Sequence, residues 1–182
     1  TDEGVPLDQM MYRHYEEAQL DGSGGANKLY QGWIRFVEPG LFSGSGEDGS
    51  YRPKISIVMP VHNPNGGHLR RAIESVLGQG YQNWELCIAD DASDKDHVRQ
   101  VIEEYRVRDN RLRAVFQESH GHIARTTNQA LALATGDFVT FLDHDDALSP
   151  HALNEVVSAL QAKPQLDIVY SDEDFLDPDG NR

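Results

Sequence analysis

Ile55-Ser56-Ile57-Val58-Met59-Pro60, then a helical pattern, then Leu86-Cys87-Ile88-Ala89-Asp90-Asp91, is the stretch of this chain that decides its fold. The first run is short, apolar and β-branched, which reads as a buried strand that Pro60 brings to an end. Leu69, Ala72, Ile73, Val76 and Leu77 follow at i, i+3, i+4, i+7 and i+8, the spacing of a helix with one buried face. The second run is another strand, and it stops at a pair of acids.

The same unit repeats outward from there. Ser93 with Asp96 three residues on resembles a capping box, and Val98, Val101, Ile102 and Tyr105 carry the next helix. Leu112 to Phe116 is a third strand, followed by a loop with His120-Gly121-His122 and a helix buried through Ile123, Thr127, Ala130, Leu131 and Ala134, which Gly136 terminates. Phe138 to Leu142 is a fourth strand that drives into Asp143-His144-Asp145-Asp146. Ser149-Pro150 opens a helix buried by Leu153, Val156, Val157 and Leu160; Pro164 closes it, and Asp167 to Tyr170 reads as a fifth strand ending at Asp172-Glu173-Asp174. Strands alternating with helices in this way predict an α/β fold, a mostly parallel, doubly wound, Rossmann-like sheet with helices on both faces.

Residues 1–38 have a different texture. Leu7, Met10, Met11, Tyr15 and Ala18, and after the breaker at residues 21–25 Tyr30, Trp33, Ile34 and Val37, keep helical spacing, so a short helical N-terminal extension is expected. Residues 39–52, rich in Gly, Ser and acids, read as a linker, and 53–182 as the main domain, truncated at its C-terminal end. The chain starts without Met and ends in a turn at Gly180-Asn181-Arg182, so both ends read as cuts in a longer protein.

Composition bounds the function. With 182 residues and 38% apolar content, one soluble domain plus an extension is expected. Sixteen basic against thirty acidic residues, a net charge of −14, exclude the electrostatic footprint of a nucleic-acid binder. They do not exclude a nucleotide, because a metal ion can neutralise phosphate and carboxylate together. The single cysteine, Cys87, lies in an apolar run and reads as core. No run is long enough to span a membrane and no leader pattern is present, so the expected location is cytoplasmic, with peripheral membrane association of the parent protein left open.

In parallel sheets ligands bind outside the carboxyl ends of the strands. His62-Asn63, Asp90-Asp91, His120 to His122, Asp143 to Asp146 and Asp172 to Asp174 would share that rim. The loop after the first strand, Pro60 to Gly67, holds no Gly-x-Gly-x-x-Gly, so hydride transfer with a dinucleotide is not expected. No Gly-x-Ser-x-Gly elbow is present, and the glycines at 22–25 run into Asn27-Lys28-Leu29 instead of a phosphate-loop Gly-Lys-Ser/Thr. His120 and His122 have no cysteine or carboxylate at zinc-type spacing and read as solvated loop histidines.

The acidic run suits a hard divalent ion. Asp143, Asp145 and Asp146 crowd together, and Mg2+ or Mn2+ takes carboxylate oxygens while holding substrate phosphates. If residues 143–145 stay extended, Asp143 and Asp145 point the same way and His144 oppositely. Asp91 could accept a base N–H, and the ring of His62 could stack on that base.

Lys54 to Asn63, Glu85 to Asp94, and Ala134-Thr135-Gly136-Asp137-Phe138 running into Asp143-His144-Asp145-Asp146 together resemble the nucleotide-sugar half of inverting family 2 glycosyltransferases, which have the GT-A fold. The resemblance covers about residues 53–180 and extends to a bacterial subgroup, with a tail like Tyr170 to Asp174, that includes enzymes of surface polysaccharide assembly. It implies a nucleoside-diphosphate sugar as donor and a glycan or lipid-linked acceptor. It implies that Pro60, Val61, His62 and Asn63 line base and ribose, that Asp91 binds the base N–H, and that Asp143-x-Asp145 is the Asp-x-Asp metal motif. Asp145 is then the better metal ligand, and Asp143 or His144 lies nearer ribose and diphosphate. Gly121 and Arg125 would face the donor, although Thr127 stands where many relatives carry Arg. The resemblance puts the catalytic base and the acceptor wall beyond Arg182, so no catalytic residue is assigned; Asp172, Glu173 and Asp174 would shape the pocket, and the isolated chain would bind donor and metal but transfer sugar poorly. A metal-dependent nucleotidyltransferase and an acidic receiver-like signalling domain are the competing readings.

Overall fold

The computed structural model describes residues 51–171, 173 and 174. The expected N-terminal helices, all but the end of the 39–52 linker, Asp172 and residues 175–182 lie outside that range. Glu47–Val169 form one compact unit, described here; Tyr170 onward belongs to a second.

Four strands and four helices alternate: β1 (Ile55–Val61), α1 (Gly66–Leu77), β2 (Trp84–Asp90), α2 (Asp96–Arg108), β3 (Leu112–Phe116), α3 (His122–Leu131), β4 (Phe138–Phe141) and α4 (Ala152–Ala162). The sheet is parallel throughout, in the order β3-β2-β1-β4. The chain therefore steps outward from β1 to β3, then returns to the far side of β1 to place β4. That reversal makes the carboxyl ends of β1 and β4 the switch point of the sheet.

Alternation along each strand divides the side chains between two cores. Ile55, Ile57, Met59 and Val61 of β1 and Trp84, Leu86 and Ile88 of β2 face α1, α2 and α4, packing with Leu69, Ile73, Val98, Ile102, Leu153 and Val157. Val58, Ala89 and Val115 face α3 through Ala130. Helices thus lie on both faces. Gln79, fully buried, ties α1 to α4: its amide nitrogen donates to Ser75 O and Ser149 O, and its oxygen accepts from Leu153 N–H.

Several local expectations change. Pro60 does not end β1, which runs on through Val61 opposite Asp90. In a parallel ladder a residue's N–H and C=O point to the same neighbour; Val61 faces β2, where its carbonyl accepts from Asp91, so Pro60 faces β4. The β4 ladder has already ended opposite Val58, so no partner asks for the N–H that proline lacks. Residues 167–170 form no strand. Ile168 and Tyr170 are 80% and 92% exposed, and β-propensity without a ladder partner and a covered face does not make a strand. Helix α3 is rotated from its apolar reading: Thr126 and Ala130 are buried while Ile123 and Leu131 are exposed. The Thr126 hydroxyl, which donates to His122 O and accepts from Gln117, selects that face. Ser93 does not cap α2, which starts at Asp96 behind Lys95.

Gly136 likewise is not the end of α3, which stops at Leu131. Its function is close approach. A Cβ there would stand 2.6 Å from Lys54 O and 2.9 Å from Ser56 N, both backbone atoms that cannot swing aside. Gly136→Ala should therefore cost about 1–3 kcal/mol, the range for overpacking. The check is a lower urea midpoint with an unchanged slope; an unmoved midpoint would mean that the segment before β4 shifts without resistance.

Candidate functional site

The rim is laid out by strand ends, and its backbone is strained. Asn63, Ala92 and His122 are the non-glycine residues with positive φ among the described residues (49°, 53° and 63°), and they follow β1, follow β2 and open α3. Such conformations persist where surrounding bonds over-determine them. Here Asn63 N–H donates to Ser93 Oγ (2.9 Å), Asn63 Oδ1 accepts from Asp94 N–H (3.0 Å), and Asn63 O accepts from Lys95 Nζ (2.7 Å). Ser93 Oγ in turn donates to Asp90. These bonds lace the loops after β1 and β2 into one body. They also commit the Asn63 carbonyl to Lys95.

Asp91 is the centre of the rim. It is 2% exposed, its Oδ1 accepts Gly121 N–H at 2.6 Å, and its Oδ2 lies 2.8 Å from His120 Nδ1. Burial pushes this carboxyl up. The Gly121 N–H, the Thr126 hydroxyl and the nearby His120 and His62 more than offset that and hold it below the usual range. Its backbone carbonyl accepts from His62 Nδ1 at 2.9 Å, which leaves Nε2 of a neutral His62 as the lone-pair nitrogen.

The histidines gather over that carboxylate. His62 and His120 have ring centroids 4.4 Å apart with planes tilted by 34°, and His120 meets His122 edge-on, also at 4.4 Å. His62, His120 and His122 are all exposed. A Cβ at Gly121 would stand 2.7 Å from Arg125 Cδ: the stem of this exposed arginine lies across the glycine.

The acidic run forms a turn and does not stay extended. β4 ends at Phe141, and Asp146 N–H donates to Asp143 O at 3.2 Å, so the alternation expected for residues 143–145 does not apply. The turn is pinned to the neighbouring strand by His144 Nδ1, which donates to Pro60 O at 3.3 Å. Asp143 and Asp145 are exposed, and among the described residues neither carboxylate has a hydrogen-bond or ion-pair partner. Unspent carboxylate oxygens on a pinned turn are the donor chemistry that Mg2+ or Mn2+ requires, so the two residues fit such an ion.

Of the residues expected at the site, His62, Asp91 and Gly121 are in contact through Asp91, and His144 is tied to Pro60. Pro60 and Val61 are buried within β1, where their carbonyls accept from His144 Nδ1 and Asp91 N–H. His120, expected from the sequence as a solvated loop residue, is in direct contact with Asp91. Its spacing from Asp91 in the sequence carries no signal, because β3 intervenes.

Residues 56–178 match the family description Glycosyl transferase family 2. The chain belongs to that family. A relative, the O-antigen biosynthesis protein RfbC of Myxococcus xanthus, is 42% identical over 156 residues, which are 84% of this chain and 12% of that protein. The protein y4gI of Sinorhizobium fredii is 45% identical over 130 residues, 71% of this chain and 14% of that one. This chain therefore spans a small part of these curated relatives. Among solved structures, S. aureus TarS matches with a TM-score of 0.55 at 28% identity, over 60% of this chain and 20% of TarS. A shorter form of TarS has been solved in complex with UDP-GlcNAc. The parallel α/β fold is similar to that of the GT-A glycosyltransferases. No described helix is long and apolar enough to cross a membrane.

Proposed function

We propose that this family 2 chain is the donor-binding half of an inverting glycosyltransferase, which transfers a sugar from a nucleoside diphosphate to a hydroxyl of a glycan or lipid-linked acceptor in bacterial surface polysaccharide synthesis. The observation that carries the reading is Asp91, a buried, ionised carboxylate that faces exposed imidazole rings at the sheet rim, with the Asp143–Asp146 turn on the other side of β1. The UDP-GlcNAc bound to TarS and the O-antigen role in the name of RfbC support it.

The chain's own residues divide the work. Asp91 Oδ2 accepts a base N–H in the place now taken by His120, and Gly121 N–H holds the carboxylate in position for it. The exposed face of His62 stacks on the base, fixed in orientation by the Asp91 carbonyl. His144, bonded to Pro60, holds the acidic turn beside β1 so that Asp143 and Asp145 present oxygens to the diphosphate side. Mn2+ or Mg2+ held by Asp143 and Asp145 would supply neutralisation of the charge on the departing nucleoside diphosphate. Asp91 orients the leaving nucleotide and is not a base toward the acceptor; no described residue is assigned that role.

A nucleotidyltransferase would need basic side chains after β1 to grip a triphosphate. Arg70, the nearest candidate, is bonded to Glu104 at 2.7 Å. The test is calorimetric titration with UDP, dTDP and GDP, with and without Mn2+. One of them should bind, and Asp145→Ala or chelator should weaken that binding at least about tenfold, the scale of losses at metal centres. A clear preference for a triphosphate would move the assignment to nucleotidyl transfer, and no response to any nucleotide would overturn the donor-site reading.

A further inference from the structure

Three side chains on the rim meet a requirement that the donor reading does not use. His62, Asp91 and His120 each offer a ligand atom, and these atoms lie within 4.8 Å of one another. Among the described residues, no other set of three His, Cys, Asp or Glu gathers as closely. We propose that they form a binding site for a d-block divalent ion of the Zn2+ class, separate from the Asp143–Asp145 corner, and that filling it excludes the nucleobase.

The donor chemistry selects the ion. Two imidazole nitrogens and one carboxylate oxygen suit Zn2+, Co2+, Ni2+ or Cu2+, whereas Mg2+ and Mn2+ favour the oxygen-only corner at Asp143 and Asp145. The supports for such a set are in place. His62 Nδ1 donates to the Asp91 backbone carbonyl at 2.9 Å, an outer-shell bond that orients a ligating ring and leaves Nε2 free to bind metal. Asp91 is held by Gly121 N–H at 2.6 Å, and the three residues come from three backbone segments already laced together. A tetrahedral ion with ligands at about 2.0–2.1 Å needs its ligand atoms about 3.3 Å apart. Closing to that from within 4.8 Å asks for a shift of about 1.5 Å at most between ligand atoms, which the two exposed histidine side chains can supply while the buried carboxylate stays fixed. The fourth position is left to water.

The exclusion clause rests on the donor-site reading, since it assigns the same Asp91 and His62 to the base; the metal site itself does not. An ion that takes the Asp91 oxygen and the His62 nitrogen removes both the acceptor and the stacking face.

The experiment titrates Co2+ into the protein in excess Mg2+, so that the oxygen-only corner is filled, and reads the visible d–d band. A band that Zn2+ bleaches is expected, with Co2+ affinity at least about tenfold weaker in His62→Ala and in His120→Ala and unchanged in Asp145→Ala. Both histidines are exposed, so each variant should fold, and circular dichroism is the check. No visible band, a band indifferent to both histidine variants, or one lost in Asp145→Ala would each overturn the site. Adding UDP to the Co2+-loaded protein should weaken Co2+ binding. Simultaneous binding without mutual effect overturns the exclusion, and a protein that binds Co2+ as described but no nucleotide keeps the metal site while defeating the donor reading.

Discussion

Glu85→Gln is expected to destabilise the folded domain by about 3 kcal/mol at neutral pH, the largest stability loss of any single substitution considered. Glu85 is 3% exposed on the α3 side of β2. Its carboxylate accepts from Lys54 Nζ (2.6 Å), Ser56 Oγ (2.7 Å) and Thr135, through both the backbone N–H and the hydroxyl. Burial pushes its pKa up, but Lys54, Ser56 and Thr135 outweigh that and hold it down to about 2, from 4.5 when unperturbed. A depression of that size corresponds to about 3 kcal/mol. Glutamine keeps the shape but turns an N–H2 toward donors on every side.

The pH dependence gives the sign. A carboxylate whose folded pKa is depressed contributes stability that is complete above its unfolded value, near 4.5, and is lost as pH falls through the folded value, near 2. The gap in unfolding free energy between the wild type and Glu85→Gln should therefore be flat above about pH 5 and close steadily below 4.5. Denaturant titrations of both proteins from pH 7 to pH 3 check this. A gap that does not narrow on acidification would mean that Glu85 is not held as an anion, and that the four donors around it act by packing alone.

The same residues explain what was legible in the sequence and what was not. The strand–helix rhythm is readable because hydrophobic period is a local property, and the polar residues that follow each strand mark the carboxyl rim of a parallel sheet. Pro60, Gly136 and Ser93 depart from expectation for one reason: each resembles local punctuation, whereas its function is set by something distant in sequence. Pro60 is tolerated because β4 is short, Gly136 is needed because Lys54 and Ser56 pass over it, and Ser93 is spent on Asp90 and Asn63. Helix α3 was read by its apolar residues and is oriented by Thr126, a polar one. The His120 pairing with Asp91 crosses β3 and belongs to the tertiary fold; zinc-type spacing along the chain could not have revealed it. The acidic turn was visible as composition but not as conformation, since carboxylates after a strand are equally compatible with an extended end or a turn.

Asp91→Asn should separate the two halves of the proposed donor site. The asparagine oxygen can still accept Gly121 N–H, so the loop before α3 keeps its anchor, but the amide N–H2 then occupies the position of Oδ2, which in the proposed function accepts a base N–H. A hydrogen bond to a charged acceptor contributes about 1.5–3 kcal/mol. UDP affinity in the presence of Mn2+ should accordingly fall roughly ten- to a hundredfold. Pyrophosphate with Mn2+ carries no base, and its affinity should be unchanged in Asp91→Asn and lost in Asp145→Ala. Asp91→Ala would weaken UDP as well, but it also strips the partner from Gly121 N–H, so a stability loss accompanies it and only the asparagine variant isolates recognition. Equal loss of UDP and pyrophosphate in Asp91→Asn would show that Asp91 serves the diphosphate or the architecture of the rim, and the base would then have to be sought elsewhere along the switch point.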